Sequence, residues 1–190
     1  MSHLATERLR LTPAPGGLAL VQDLLNTRQI GRHAFDLLRT VDGARYWLQQ
    51  ALDPLPEDVD WPRDLSETQV ATLRALRSDV EQLVSGAAGH PARPVARAAL
   101  VLGPDGELRL EPGEQGPDGF AAQIWAQVFL AQRSGTWKRL KLCHNPPCGS
   151  AFYDRSKNNS GVWHDVKMCG NAVNLRASRA RRREAANGSS

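Results

Sequence analysis

The sequence predicts an α+β protein, with a mostly α-helical N-terminal domain that carries a small β-hairpin and a C-terminal zinc finger that ends in a basic helix. Three observations support this class. Apolar residues recur at helical spacing through the first two thirds of the chain, a Gly-Pro-Asp-Gly turn separates two short alternating segments, and all three cysteines lie near the C-terminus. We expect a helical domain over 1–134, the finger over 135–186 and a disordered tail over 187–190.

In the N-terminal domain, a polar and Pro-containing start is expected to be extended, and a first helix should cover about 17–29. A second helix should begin near Asp42, a candidate N-cap. The clearest helix covers 65–85, where Ser66 and Gln69 have the spacing of a capping box. Gly86 is expected to end it.

The next two segments, 96–102 and 107–111, flank the Gly-Pro-Asp-Gly turn and are predicted to form a hairpin. Leu108 and Leu110 alternate with charged residues, which is typical of a strand beside a hairpin turn. A loop should cover 112–118. A helix over 120–132 follows, with four residues facing the core: Phe120, Ile124, Val128 and Ala131.

Charge is unevenly distributed along the chain. Residues 133–190 hold twelve basic and three acidic residues, a net charge of +9, whereas residues 1–132 carry −5. This asymmetry favours a nucleic-acid-binding end on an acidic body, and the alternative is a solubilising basic tail. Because no apolar run is long enough for a membrane span or a secretory signal, we expect a cytoplasmic protein without membrane contact.

Four residues have the spacing of a metal site: Cys143, Cys148, His164 and Cys169. Three thiolates and one imidazole suit one structural Zn²⁺ ion, held in a closed tetrahedral site that leaves no position for activated water. The alternative is three unrelated cysteines, two of them in a disulfide. His144 competes with His164 as the fourth ligand, but it adjoins Cys143 and is poorly placed to share the ion.

The finger is predicted to begin with a strand over 136–142 that leads to Cys143 and pairs with 151–153. A polar turn over 156–161 should precede the second ligand pair, and a helix should run from about 170 to 185. We expect Phe152, Trp163 and Met168 to form a small core, with base stacking as the rival role for the aromatic residues.

This last helix carries the expected DNA contacts. Arg176, Arg179 and Arg183 share one face at helical spacing, while Leu175 and Val173 should pack against the finger. Basic side chains of this kind grip phosphates. The full expected set is Arg176, Arg179, Arg181, Arg182, Arg183 and Lys167.

The segment from Cys143 to Cys148, with Trp163-His164 and Met168-Cys169-Gly170-Asn171, resembles the CGNR zinc finger. The sequence departs from that family at His164, where a cysteine is usual, and at Ala172, where the signature has arginine. The order of a hairpin followed by a helix also resembles a treble clef. The stretch 18–28, which ends in Asn26-Thr27-Arg28, is similar to the ABATE domain that accompanies this finger. The resemblance implies a stress-response transcription regulator.

The sequence therefore favours a DNA-binding transcription regulator rather than an enzyme, with an N-terminal domain that senses an unknown small molecule or protein. Asn26, Thr27 and Arg28 are candidates for that ligand site, although capping of the first helix explains them as well. A homodimer is one possible assembly. Two other functions stay open: a zinc-supported nuclease using His144 with Asn145 or Asn158, and a zinc-stabilised module that binds RNA or an acidic protein. His33 and His90 are expected to be solvated loop residues.

Overall fold

The computed structural model describes residues 3–31, 34–52, 65–87, 89, 92–113 and 116–187. Its helices are α1 (Leu4–Glu7), α2 (Leu18–Asn26), α3 (Val41–Leu52), α4 (Glu67–Ser85), α5 (Gly116–Arg133) and α6 (Asn171–Asn187). Its strands are β1 (Ala98–Leu102), β2 (Leu108–Pro112), β3 (Leu140–Leu142) and β4 (Ala151–Tyr153). The α+β class is confirmed. The expectations for His33, His90 and residues 188–190 lie outside the described residues, as does the acidic loop that Pro54, Pro56 and Pro62 predict over 53–63.

Helix α2 is the centre of the fold, because every one of its residues is buried. Helices α4 and α5 pack on it, and α3 closes the core through Trp47, which meets Phe120 edge to face at a ring distance of 5.5 Å. The four residues predicted to face inward from α5 are all buried: Phe120, Ile124, Val128 and Ala131. In the part of the chain that the structure describes, no helix is long and apolar enough to span a membrane.

The caps of two helices show where local sequence patterns are sufficient and where they are not. In α4 the Gln69 backbone N–H donates to Ser66 Oγ at 3.2 Å, and the Gln69 side chain accepts from the Ser66 N–H at 2.9 Å, which confirms the capping box. In α3, Thr40 rather than Asp42 accepts from the Gly43 N–H, at 3.2 Å. The prediction that Asp42 is the N-cap was wrong by two residues. Thr40 and Asp42 are both residue types that can cap a helix, so the sequence alone does not choose between them.

Two helix boundaries also differ from prediction. The start of the chain contains α1 rather than only extended backbone, because the buried Asp23 carboxylate accepts the Thr6 N–H at 2.7 Å and holds that turn. Helix α5 begins at Gly116, inside the segment 112–118 that was predicted to be a loop. The β1–β2 hairpin is present as predicted, with Leu100 opposite Leu110 and Leu102 opposite Leu108.

The hairpin of the finger, β3 and β4, lies directly on α2. Leu140 and Ala151 are buried in the same core as the N-terminal helices. A turn of 3₁₀ helix, Trp137–Arg139, replaces the first half of the strand predicted over 136–142. The Asn26 amide pairs with the Ala151 backbone as a strand would: its Oδ1 accepts the N–H at 2.8 Å and its Nδ2 donates to the carbonyl at 3.0 Å. This arrangement fixes the position of the finger relative to α2.

Candidate zinc centre and basic helix

The first ligand pair lies on a tight turn between β3 and β4. Cys143 follows β3 directly, and its N–H donates to the Ser150 carbonyl at 2.9 Å. The N–H groups of Cys148 and Gly149 both donate to the Asn145 carbonyl, at 2.7 and 3.1 Å. Gly149 has a φ of +60°, a conformation that favours glycine. The turn therefore places both thiols on the same side of the hairpin.

In the second pair, Cys169 lies on a π-helical turn, Val166–Gly170, that leads into α6, and His164 lies just before that turn. Asp165 caps this turn, because its Oδ1 accepts the Met168 N–H at 2.8 Å and its carbonyl accepts the Cys169 N–H at 2.9 Å. A Cβ at Gly170 would lie 3.2 Å from the Trp163 ring, so a larger residue would displace that ring. The turn thus directs Cys169 inward, next to His164.

The four predicted ligands meet at one point. One ligand atom from each of Cys143, Cys148, His164 and Cys169 lies within 4.8 Å of the others. His164 Nδ1 is 3.4 Å from Cys148 Sγ and 3.6 Å from Cys169 Sγ. A tetrahedron with ordinary Zn–S and Zn–N bonds has S···N edges of about 3.5 Å. The cluster fits one structural zinc ion, and it contains His164, the predicted fourth ligand. His144 has an exposed side chain and lies outside the cluster.

The thiols differ in acidity because their surroundings differ. Burial raises the pKa of Cys143, and burial together with the neighbouring thiols raises the pKa of Cys169 to about 12. Burial acts in the same direction on Cys148, but hydrogen bonds from His164 and Ser150 outweigh it and lower the pKa to about 6. The bond to Cys148 raises the pKa of His164. Without a metal, Cys143 and Cys169 therefore retain protons at neutral pH that zinc must displace.

Asn145 connects the metal cluster to α6, a role that the sequence did not suggest. Its Nδ2 donates to Cys169 Sγ at 3.1 Å, and its Oδ1 accepts a hydrogen bond from the Arg176 guanidinium. The side chain is buried. The one signal in the sequence for this role is that Asn145 lies two residues after the ligand Cys143. An amide side chain can donate a hydrogen bond to a thiolate and accept one from an arginine at the same time.

A buried ion pair supports the loop between β4 and the second ligand pair. Lys141 Nζ donates to Asp154 Oδ2 at 2.7 Å and to the carbonyls of Asn159 and Gly161. Asp154 also accepts the N–H groups of Ser156 and Gly161, at 2.9 and 2.7 Å. Burial would raise the pKa of this carboxyl, but these donors outweigh it and hold the pKa well below its usual range. Sequence reasoning missed this pair.

The small core of the finger differs in one member from the prediction. Phe152 is buried against Cys143 and Cys169, and Trp163 packs on the same cluster. Met168 is 70% exposed, because the π turn that points Cys169 inward points its neighbour outward. Met168 was therefore wrongly assigned to this core.

The predicted nucleic-acid-binding residues lie on α6 and on the π turn before it. Five members of the set have exposed side chains: Lys167, Arg179, Arg181, Arg182 and Arg183. Leu175 is 52% exposed, so the expectation that it packs against the finger was wrong. In the described part of the structure no carboxylate forms an ion pair with any of these arginines. Arg176, the remaining member of the predicted set, binds the finger through Asn145.

The candidate ligand residues of the N-terminal domain are engaged within the protein. Asn26 holds Ala151, and Thr27 Oγ1 accepts from Arg77 at 2.9 Å while it donates to the Leu24 carbonyl. Arg28 pairs with Glu81. Arg8 binds the carbonyls that end α2, at residues 26, 27 and 28. Capping of α2 thus comes from Arg8 and not from Arg28.

Comparison with protein families adds two findings. The sequence model of the CGNR zinc finger matches residues 139–182. The model of ABATE, described as "Putative stress-induced transcription regulator", matches residues 18–132. Both resemblances seen in the sequence are confirmed, in the expected order along the chain. A comparison with curated protein sequences finds no match.

Proposed function

The chain belongs to the ABATE family, and from this premise we propose that it binds DNA through α6 and regulates transcription. The observation that carries the proposal is the row of exposed guanidinium groups at Arg179, Arg181, Arg182 and Arg183, which no described carboxylate neutralises. Phosphate oxygens are the ligands that such a row attracts. Residues 1–132 carry a net negative charge that repels phosphates, so the basic C-terminal part is the better candidate for binding nucleic acid.

The dimensions of α6 support the same conclusion. A helix of 17 residues is about 25 Å long, and the major groove of DNA, about 12 Å wide, accepts one α-helix. None of the residues from 171 to 184 on this helix is buried. The helix therefore presents its side chains to a partner rather than to its own core.

The zinc centre contributes by fixing the start of this helix. When bound, the ion cross-links the β3–β4 turn to the π turn before α6. Asn145 and Arg176 then connect the Cys169 thiolate to the first turns of α6. Since protein side chains fill all four coordination positions, we propose a structural ion and not a catalytic one. Nuclease chemistry has no supporting observation, because Asn145 already binds Cys169 and Arg176.

We also propose that the N-terminal domain receives the regulatory signal, from a small molecule or a protein. The contacts of Asn26 and Gln22 with Ala151 give a direct route from α2 to the finger, since Gln22 Nε2 donates to the same carbonyl at 3.2 Å. Ala151 follows Ser150, whose hydroxyl lies 3.1 Å from Cys148 Sγ and 3.2 Å from His164 Nδ1. A shift of α2 would therefore move Ala151 and, through the neighbouring Ser150, the ligands Cys148 and His164.

The DNA-binding proposal is tested with a triple variant, Arg179→Ala, Arg182→Ala and Arg183→Ala. Fluorescence anisotropy with mixed genomic fragments at rising salt should show weaker binding and a smaller salt slope, by about 0.9 for each phosphate that α6 no longer neutralises. The matched control replaces Arg39, Arg97 and Arg133, which are exposed outside α6, and changes the net charge equally. Helical circular dichroism and zinc content should not change in either variant.

Several outcomes would contradict the proposal. No binding of wild-type protein at low salt would exclude DNA as the partner. An equal loss of affinity in the control variant would show that overall charge, and not α6, drives the association. Tighter binding to single-stranded RNA than to duplex DNA would favour the RNA-binding alternative.

A further inference from the structure

The first two turns of α6 carry an uncharged face. Residues three, four and seven positions apart share one face of a helix. Four residues of α6 have this spacing and carry no charge: Asn171, Asn174, Leu175 and Ser178. We call these four residues the neutral face. It points away from the finger, because Val173 is half-buried on the opposite side of the helix and Arg176, on that side, binds Asn145.

The side chains of the neutral face are available to a partner. Asn171 and Asn174 are exposed, and neither amide has a hydrogen-bond partner among the residues that the structure describes. Leu175 is 52% exposed although it is apolar. Amides and small apolar groups are the side-chain types that contact base edges, whereas arginine also contacts phosphates.

Arginines border the neutral face on both sides. Successive residues of a helix are about 100° apart, so Arg181 lies along one edge of the face while Arg179 and Arg183 lie along the other. When a helix lies in the major groove, its central side chains face the bases and its flanking side chains reach the phosphates. A neutral centre with basic edges therefore fits duplex DNA. A second copy of α6 would instead be repelled by the arginines.

The metal centre holds the start of this face in place. Asn171 lies two residues after the ligand Cys169, and Cys169 and Gly170 are both buried. The N-terminal residues of a recognition helix are those that contact base edges. From Asn171 to Leu175 the helix advances about 6 Å, which corresponds to about two base-pair steps of 3.4 Å.

We propose that the neutral face reads A·T base pairs in the major groove of DNA, an inference that rests on the proposed function. An asparagine amide accepts a hydrogen bond from the adenine amino group and donates one to adenine N7, and Leu175 contacts the thymine methyl group. RNA offers neither contact, because uracil lacks the methyl group and the major groove of A-form RNA is too narrow for side chains to read.

The test alters single atoms of the DNA and leaves the protein unchanged. Duplexes that wild-type protein binds are first selected from a random pool. One base at a time is then replaced in a selected duplex: deoxyuridine for thymidine removes only the methyl group, and 7-deazaadenine for adenine removes only N7. We expect the loss of the methyl group to weaken wild-type binding about fourfold at one or more positions. The loss of N7 should weaken it about fivefold.

Variants of the protein assign each effect to a side chain. Leu175→Ala should bind thymine and uracil duplexes equally. The double variant Asn171→Ala and Asn174→Ala should bind adenine and 7-deazaadenine duplexes equally. The matched control for the leucine is Leu130→Ala, since Leu130 on α5 is also 52% exposed, and it should respond to both base changes as wild type does. Because no variant removes a charge, all should keep the wild-type salt slope.

The outcomes separate this inference from DNA binding itself. Wild-type binding that neither base change weakens would overturn base reading and leave the binding of DNA through α6 intact. A Leu175→Ala variant that still distinguishes thymine from uracil would also overturn it, as would a Leu130→Ala variant that no longer does. No binding of wild-type protein at low salt would overturn both proposals. Circular dichroism and zinc content show whether each variant is folded, and the wild-type result stands without them.

Discussion

At the residue scale, the finger depends on side chains that act on the ligands and not only on the ligands themselves. Asn145 and Asp154 are both buried polar residues whose hydrogen bonds are satisfied by charged or metal-binding partners. Buried groups of this kind are stabilising when fully bonded and destabilising when one partner is removed. Each therefore gives a specific prediction.

Replacing Asn145 by alanine removes the donor to Cys169 and the acceptor for Arg176. We expect zinc affinity to fall by about 10- to 100-fold, the usual effect of removing a hydrogen bond to a metal ligand. Competition with a chromophoric chelator measures this. Asn158→Ala, at an exposed position of the same finger, is the control and should retain wild-type affinity. Equal affinities in both variants would show that the Asn145 side chain has no role in metal binding.

Replacing Asp154 by asparagine should lower the melting temperature at neutral pH by at least ~2–4 °C, the shift that about 1 kcal/mol produces in a domain of this size. Because the native pKa of Asp154 lies below its unfolded value, its ionised form stabilises the fold above about pH 4. That contribution is lost as the pH falls through the native pKa. The difference between wild type and variant should therefore shrink below pH 4 in thermal melts. A difference that stays constant down to pH 2 would contradict this assignment.

At the element scale, helices follow local signals where one strong cap is present. Helix α4 has a complete capping box and a left-handed Gly86 with a φ of +73°, so both of its ends were predictable. Helix α3 has two candidate caps, Thr40 and Asp42, that lie two residues apart, and the start of α5 has no strong signal. Their boundaries depend on contacts with the rest of the fold.

Removing the cap of α4 with Ser66→Ala should reduce the free energy of unfolding by about 1 kcal/mol. Ser78→Ala is the control, because Ser78 is exposed inside the same helix and alanine is the better helix former there. Urea denaturation followed by circular dichroism measures both variants. If both lose stability equally, the capping box does not stabilise the helix.

At the scale of the whole molecule, the zinc finger and the helical domain share one core. Leu140 and Ala151 are packed among residues of α2, α4 and α5, and Asn26 bonds both backbone groups of Ala151. Loss of the metal should therefore destabilise the N-terminal domain as well as the finger.

Zinc removal by chelation should lower the melting temperature and speed amide exchange in α2 as well as in β3 and β4. Zinc affinity should rise with pH between about 6 and 9, because protons on Cys143 and Cys169 compete with the metal. Hydrogen exchange and chelator competition across this range test both points. Exchange in α2 that is unchanged after complete chelation would contradict the coupling.

The sequence by itself determined the zinc ligands, the basic helix and most helices, because these depend on residue type at short spacing. His164 could be preferred over His144 for the same reason. Only the tertiary structure decided the roles of Asn145, Lys141, Asp154 and Asn26, since each meets partners distant in sequence. It also showed that Met168, Leu175 and the leucines of the β1–β2 hairpin are exposed. Hydrophobic periodicity predicts which residues of an element share one face. Only the packed fold shows whether other parts of the chain cover that face.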